Sequence, residues 1–119
     1  MYIALLVIPV PEHNLQSYRA WARNSVAIFK RYGCIDVIDG WGDFVPHGMR
    51  TDFYRAVDAQ PGEVIVVSLQ LWPDKESFFA SEAKMHADNA LDFEGEPPFD
   101  PGRLIHGCFA ALDPGPQHA

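Results

Sequence analysis

Two residues late in the chain combine reactive side chains with a spacing that places them together. His106 and Cys108 are two positions apart in the segment IHGCF, and alternate residues of a strand point to the same face of a sheet. Imidazole and thiolate both bind soft metal ions, but a zinc site usually needs three or four ligands. No second His or Cys cluster lies nearby in the sequence. We therefore expect no metal, and we interpret His106 as a shielded histidine, hydrogen-bonded or facing a pocket.

Four other residues could donate or accept protons. Glu82 and His86 are four positions apart, a spacing at which side chains on one helix meet, so they form either an acid–base couple or a solvated pair. Asp43 and Asp100 stand in turns beside glycine or proline. Each could be a catalytic carboxylate, but an Asp in a turn more often bonds its own backbone two residues further on. Arg103 follows closely and could pair with Asp100.

Aromatic and small polar side chains form a third group, of the kind that lines a small-molecule pocket. In the segment 63–72, one parity is wholly apolar and the other mixes apolar with polar residues. We expect the apolar parity to lie under helices and the mixed parity to line the other face of the sheet. The predicted ligand-binding residues on that other face are Trp41, Ser68, Gln70, Trp72 and His106. The alternative is that the same aromatic residues pack in a dimer interface.

The segments that position these residues predict the order β-α-β-β-α-β. Apolar runs, continuous or alternating, indicate four strands, over residues 2–10, 34–45, 63–72 and 103–112. Asn14 and Asp74 stand where they can cap the two intervening helices. This order is typical of an α+β, ferredoxin-like domain with an antiparallel sheet and both helices on one face.

The length of the chain bounds its organisation. A chain of 119 residues is typical of one domain, and we expect residues 1–113 to form it and residues 114–119 to be a flexible tail. Nothing remains in a domain of this size to cover the second sheet face. We therefore expect a homodimer with the two sheets packed face to face, a dimeric α+β barrel.

Charge and motifs narrow the classes of partner. Nine Lys and Arg against sixteen Asp and Glu give a net charge of −7, and the cations are scattered, whereas nucleic-acid binding uses clustered cations. The first ten residues are apolar but lack the basic region of a signal peptide. They are also too few for a membrane span, which needs about 20 residues. We expect a cytoplasmic protein that binds neither nucleic acid nor membrane.

No phosphate-binding loop, nucleophile elbow or metalloprotease helix occurs, so we expect no cofactor. We expect Cys34 and Cys108 to be reduced and mostly buried.

Four segments together resemble the YbaA-like family of uncharacterised bacterial proteins: NLQSYRAWARN, WGDFVPHG, PGEVIVVS and PPFDPGRLIHGCF. The similarity runs from about Tyr2 to Leu112. Its most specific residues are Pro98, Phe99, Asp100, Arg103, Ile105, Gly107 and Phe109, together with Gly42, Asp43, Pro61, Gly62 and Glu63. The resemblance implies a dimeric α+β barrel and brings no established catalytic residue. Relatives in this family commonly have Tyr at the position of His106 and Gly at that of Cys108. The resemblance therefore implies that neither His106 nor Cys108 is a catalytic group shared by the family.

Two functions of different class are open from the sequence. The first is a small-molecule site in the barrel of each protomer, with a cofactor-free, monooxygenase-like enzyme suggested by analogy of fold. The second is a non-catalytic dimeric binding or accessory module. A cavity behind Ser68, Gln70 and His106 would favour the first, and a filled interface would favour the second.

Overall fold

In a computed structural model, which describes residues 1–92 and 96–113, the chain forms one four-stranded sheet with three α-helices. The elements are β1 (Tyr2–Pro11), α1 (Leu15–Arg31), β2 (Asp36–Trp41), α2 (Phe53–Ala56), β3 (Glu63–Trp72), α3 (Lys75–Ala87) and β4 (Ile105–Ala110). The predicted α+β class and element order are confirmed, with α2 inserted as one short turn of helix between β2 and β3. The predicted tail, 114–119, lies outside the described residues.

The sheet is antiparallel, in the order β2-β3-β1-β4. β1 lies in the interior of the sheet and pairs with β3 from Tyr2 to Pro11, and with β4 on its other side. One parity of β1 packs under the helices, and the other lies on a face that is itself apolar, which accounts for the nearly uninterrupted apolar sequence of β1. β2 and β4 are the two edges of the sheet.

Helices α1 and α3 pack on one face of the sheet. The stripe of α1 that contains Tyr18 and Ala22 packs on Ile8 and Val66, and Phe78 and Met85 of α3 pack near Trp72. Local signals explain the ends of these helices. The Asp74 carboxylate accepts a hydrogen bond of 2.7 Å from the Ser77 backbone N–H, and Gly33, at a φ of +106°, ends α1. Asn14 does not cap α1 as expected, because its amide donates to the Pro98 carbonyl at 3.0 Å.

The prediction of which sheet face lies under the helices is wrong. The mixed parity of β3 faces α1 and α3, and its residues Val66, Ser68, Gln70 and Trp72 are all buried there. Polar side chains are tolerated under the helices because they are partnered or lie beside a cavity. The Trp72 indole N–H, for example, donates to the Gln70 side-chain oxygen at 3.0 Å.

The opposite face of the sheet, here called the open face, is mainly apolar, with Asp36 at the end of β2 as a charged exception. The paired residues on it include Ile3, Leu5, Val7, Ile38, Ile65, Val67, Leu69, Leu71, Ile105 and Phe109. The segment around α2 covers one end, where Val57 packs on Val7 and Ile65. The other end is uncovered, and Ile38 and Phe109 are each more than half exposed. Across the described part of the chain, no helix is both long and apolar enough to cross a membrane.

Candidate functional site

A cavity bordered by described residues lies between α1 and the β2 edge of the sheet, and we call it the α1–β2 cleft. Its volume is about 400 Å³, within the range of small-molecule sites. Its walls and floor are formed chiefly by Tyr18, Ala22 and Val26 of α1, Asp39 and Trp41 of β2, and Val66 of β3. The cleft is therefore mostly apolar, with a few polar atoms at defined places.

Helical and strand spacing place these side chains together. Tyr18, Ala22 and Val26 follow one another at four-residue steps, so they form a stripe on one side of α1. Asp39 and Trp41 alternate along β2 and therefore point to the same face. Trp41 pairs with Val66 across the sheet. Since Ala22 is small, the helix leaves space between the two larger residues of its stripe.

Tyr18 and Asp39 join the two walls of the cleft. The Tyr18 hydroxyl donates a hydrogen bond of 3.2 Å to one Asp39 carboxylate oxygen. Burial raises the pKa of Tyr18, and the negative charge of Asp39 raises it further. The phenol therefore stays protonated at neutral pH and acts as a hydrogen-bond donor. The second carboxylate oxygen of Asp39 has no hydrogen-bond partner among the described residues and can accept a bond from a ligand.

An aromatic cluster supports α1 beside the cleft. The Phe99 ring lies edge-on to Trp21 at a centroid distance of 5.1 Å, and its centroid is 6.1 Å from that of Tyr18. Phe99 belongs to the PPFDPGR segment, so this turn docks against α1. The role of the turn is therefore to hold α1 in place over the sheet.

The residues predicted to bind a ligand do share one sheet face, but it is the face under the helices. Trp41 lines the α1–β2 cleft. Ser68 and Gln70 border a narrow space of about 50 Å³ beneath α1, which shares Tyr18 and Asp39 with the cleft. Trp72 has none of its surface exposed and belongs to the core, which it joins through an edge-on contact with Phe78.

His106 is exposed, so the expectation that it is shielded from solvent is wrong. Its strand, β4, is an edge of the sheet, which leaves the side chain open on one side. With Gln70 and Glu82 it borders a separate recess of about 260 Å³ between α3 and β4. Cys108 is also exposed, contrary to expectation, whereas Cys34 is buried, and both are free thiols. The structure thus separates His106 from Trp41.

The described residues show no hydrogen bond or ion pair among the four acid–base candidates. Glu82 and His86 are both exposed on α3, and the described residues show no hydrogen bond or ion pair between them. Asp43 is exposed beyond the end of β2. Asp100 accepts hydrogen bonds from the Gly102 backbone at 2.9 Å and from Arg103 at 3.0 Å. These bonds lower the pKa of Asp100, so it acts as the carboxylate of its own turn.

Two residues of the cleft were not predicted from the sequence, namely Tyr18 and Asp39. Tyr18 belongs to the apolar stripe of α1, where a tyrosine looks like ordinary core. Asp39 has the same parity as Trp41, and that parity was the available signal. No group of three or more His, Cys, Asp or Glu side chains within 1–92 and 96–113 is placed to hold a metal ion.

The chain is similar to known proteins in sequence and, for one solved structure, in fold. A family model described as a protein of unknown function (DUF1428) matches residues 1–101. The uncharacterized protein YbaA of Escherichia coli K12 is 35% identical over 112 residues, which cover 93% of this chain and 96% of that protein. YbaA of Shigella flexneri has the same identity and coverage. Among solved structures, a point mutant of SnoaB, a cofactor-independent oxygenase from Streptomyces nogalater, aligns with a TM-score of 0.50 and 13% identity over 98% of each chain.

Proposed function

We propose that this chain, which belongs to the DUF1428 family of proteins of unknown function, binds a small molecule in the α1–β2 cleft. The proposed ligand has an apolar part about the size of a ring system. The observation that carries this proposal is the composition of the cleft. Its volume of about 400 Å³ is bordered mainly by apolar side chains, together with the Tyr18–Asp39 pair and the Trp41 ring. Apolar walls with few polar groups are typical of sites that bind and orient a small ligand.

The binding protein is proposed to be a homodimer that buries the open face. An uncovered apolar sheet face is costly in water, and large exposed apolar patches usually mark an interface. A second copy is the occupant that we propose, because two identical apolar sheet faces are of equal size and cover each other. Such a dimer leaves the α1–β2 cleft accessible, because the cleft lies on the opposite face of each sheet.

An oxygenase reaction without a cofactor is a second candidate, and it rests on two observations. One is the similarity of fold to SnoaB. The other is the carboxylate of Asp39 beside apolar walls, where it could accept a proton from a phenolic substrate. An oxygen electrode, with a hydroquinone as substrate, compares the natural chain with Asp39→Asn. Oxygen uptake that is lost in the variant supports catalysis, and equal background uptake leaves a binding or accessory module.

A blocking substitution tests the binding site directly. Ala27 is exposed and lines the cleft, whereas Ala20 is exposed on α1 and does not. The probe is the neutral dye N-phenyl-1-naphthylamine, titrated by fluorescence. We expect Ala27→Trp to weaken binding by at least about tenfold and the matched control Ala20→Trp to leave it unchanged. If the dye does not bind, or if it binds equally to both variants, the α1–β2 cleft is not its site.

A further inference from the structure

We propose that the ligand of the α1–β2 cleft carries an anionic group, which Arg19 and Arg23 bind at the mouth of the cleft. This inference rests on the proposed function and adds the chemical class of the ligand. Both arginines line the cleft, together with the apolar stripe of α1. They are four positions apart, so their side chains lie on the same side of the helix.

The charge of α1 is unusual for this chain. Residues 15–31 contain Arg19, Arg23, Lys30 and Arg31 and no Asp or Glu. Four of the nine basic residues of the chain therefore lie on one helix, although the chain as a whole has a net charge of −7. Two arginines at this spacing repel each other and weaken an isolated helix. An anion bound between them would remove this repulsion.

No side chain of the described residues neutralises Arg19 or Arg23. The ion pairs of the described chain involve other cations, and none places a carboxylate within 4 Å of either arginine. The one carboxylate that lines the cleft, Asp39, accepts the Tyr18 hydroxyl instead. The cleft thus has two cationic side chains against one anionic side chain, with both guanidinium groups available at its solvent-exposed rim.

The position of these groups defines the ligand. Arg19 and Arg23 are exposed, whereas Tyr18, Ala22 and Val66 on the inner side are buried. A ligand that satisfies both regions has an apolar ring system directed inward and a carboxylate, sulfonate or phosphate directed outward. Guanidinium groups suit this task because their planar donors match the oxygen atoms of such anions.

Two dyes with the same ring system test this proposal. 8-Anilinonaphthalene-1-sulfonate differs from N-phenyl-1-naphthylamine by its sulfonate, and both are titrated by fluorescence. We expect the natural chain to bind the sulfonate at least about tenfold more tightly than the neutral dye. In the double variant Arg19→Gln with Arg23→Gln, this preference disappears, while the affinity for the neutral dye stays within about twofold. Glutamine keeps helix propensity close to that of arginine, so the fold is retained, which circular dichroism checks.

The control removes equal charge elsewhere. Arg31 and Arg50 are exposed and do not line the α1–β2 cleft, so Arg31→Gln with Arg50→Gln leaves the preference intact. If the natural chain binds both dyes equally, or if both double variants lose the same affinity for the sulfonate, the assignment of the anion to Arg19 and Arg23 is wrong although the cleft still binds. If neither dye binds, or if Ala27→Trp leaves both bound, the proposed function itself fails.

Discussion

Arg103 donates hydrogen bonds from its two terminal nitrogens to the two carboxylate oxygens of Glu63, at 2.6 and 2.7 Å. The same guanidinium bonds the Asp58 carbonyl at 2.9 Å and the Asp100 carboxylate at 3.0 Å. Paired parallel bonds of this kind are the strongest that an arginine makes with a carboxylate. They join the PPFDPGR turn to the first residue of β3. Glu63 and Arg103, which are among the most specific residues of the family resemblance, therefore have a structural role.

Glu63→Gln should destabilise the fold by about 2 kcal/mol, because the charged pair becomes a weaker neutral contact with Arg103. The Glu63 side chain is only 7% exposed and that of Arg103 is 21% exposed, so water compensates little for the loss. Urea denaturation measures the change. Lys30→Gln is the control, since Lys30 and Asp36 form an exposed pair at 3.6 Å that should contribute almost nothing. Equal stabilities of the two variants would contradict this role of Glu63.

The stability of the fold should fall in acid. The Arg103 guanidinium holds the pKa of Glu63 below its usual range, and backbone and Arg103 hydrogen bonds lower the pKa of Asp100. A carboxylate with a lowered folded-state pKa stabilises the fold above its unfolded pKa, about 4 for Asp and Glu. That stability is lost as the pH falls through the folded-state value. Denaturation curves from about pH 7 to 3 should therefore show a decline that is shallower in Glu63→Gln.

A charge on the open face should separate the proposed dimer. Ile38 lies on β2 with 56% of its surface exposed, and a lysine there would bury an unpaired charge between the two sheets. Sedimentation at micromolar concentration should give twice the chain mass for the natural protein and a larger monomer fraction for Ile38→Lys. Leu112→Lys is the control, because Leu112 is fully exposed and lies outside the sheet. A natural chain that sediments as a monomer would rule out the homodimer.

The two thiols should react at different rates with an aromatic disulfide reagent. Cys108 is exposed, whereas Cys34 is 6% exposed and its thiol donates to the carbonyls of Asp36 and Leu71. Burial also raises the pKa of Cys34, which lowers the fraction of reactive thiolate. Without a reducing agent we expect one fast thiol per chain and a second that reacts only on unfolding. Cys108→Ser should abolish the fast phase, and a fast phase that persists would assign it to Cys34.

The element order was predictable because each element has its own local signal. β1 is an apolar run, Asp74 caps α3, and Gly33 ends α1, and each of these depends on neighbouring residues only. Asn14 shows where local reasoning fails. Its side chain has a distant partner, the Pro98 carbonyl, and this contact exists only once the fold has formed.

The orientation of the sheet was not predictable from polarity alone. The polar residues Ser68 and Gln70 suggested a face that meets something other than helices, yet they lie under α1 beside a cavity. The wholly apolar parity, which includes Leu69 and Leu71, forms the open face instead. Parity identified which residues share a face, as it did for Trp41 and Ser68. It could not identify the layer that covers each face, because that depends on where the connections cross.

The position of β1 has a consequence for folding during synthesis. Tyr2 pairs with Trp72 on one side and with Ala110 on the other, so β1 is fully paired only after β4, far along the sequence, has been added. The edge of β1 that pairs with β3 can be satisfied once residues 63–72 are present, whereas its other edge stays unpaired until residues 105–110 have been added. Pairings so distant along the chain slow folding and prolong the exposure of unpaired strand edges, so the β4-facing edge of β1 is a place where incompletely folded chains can associate with one another.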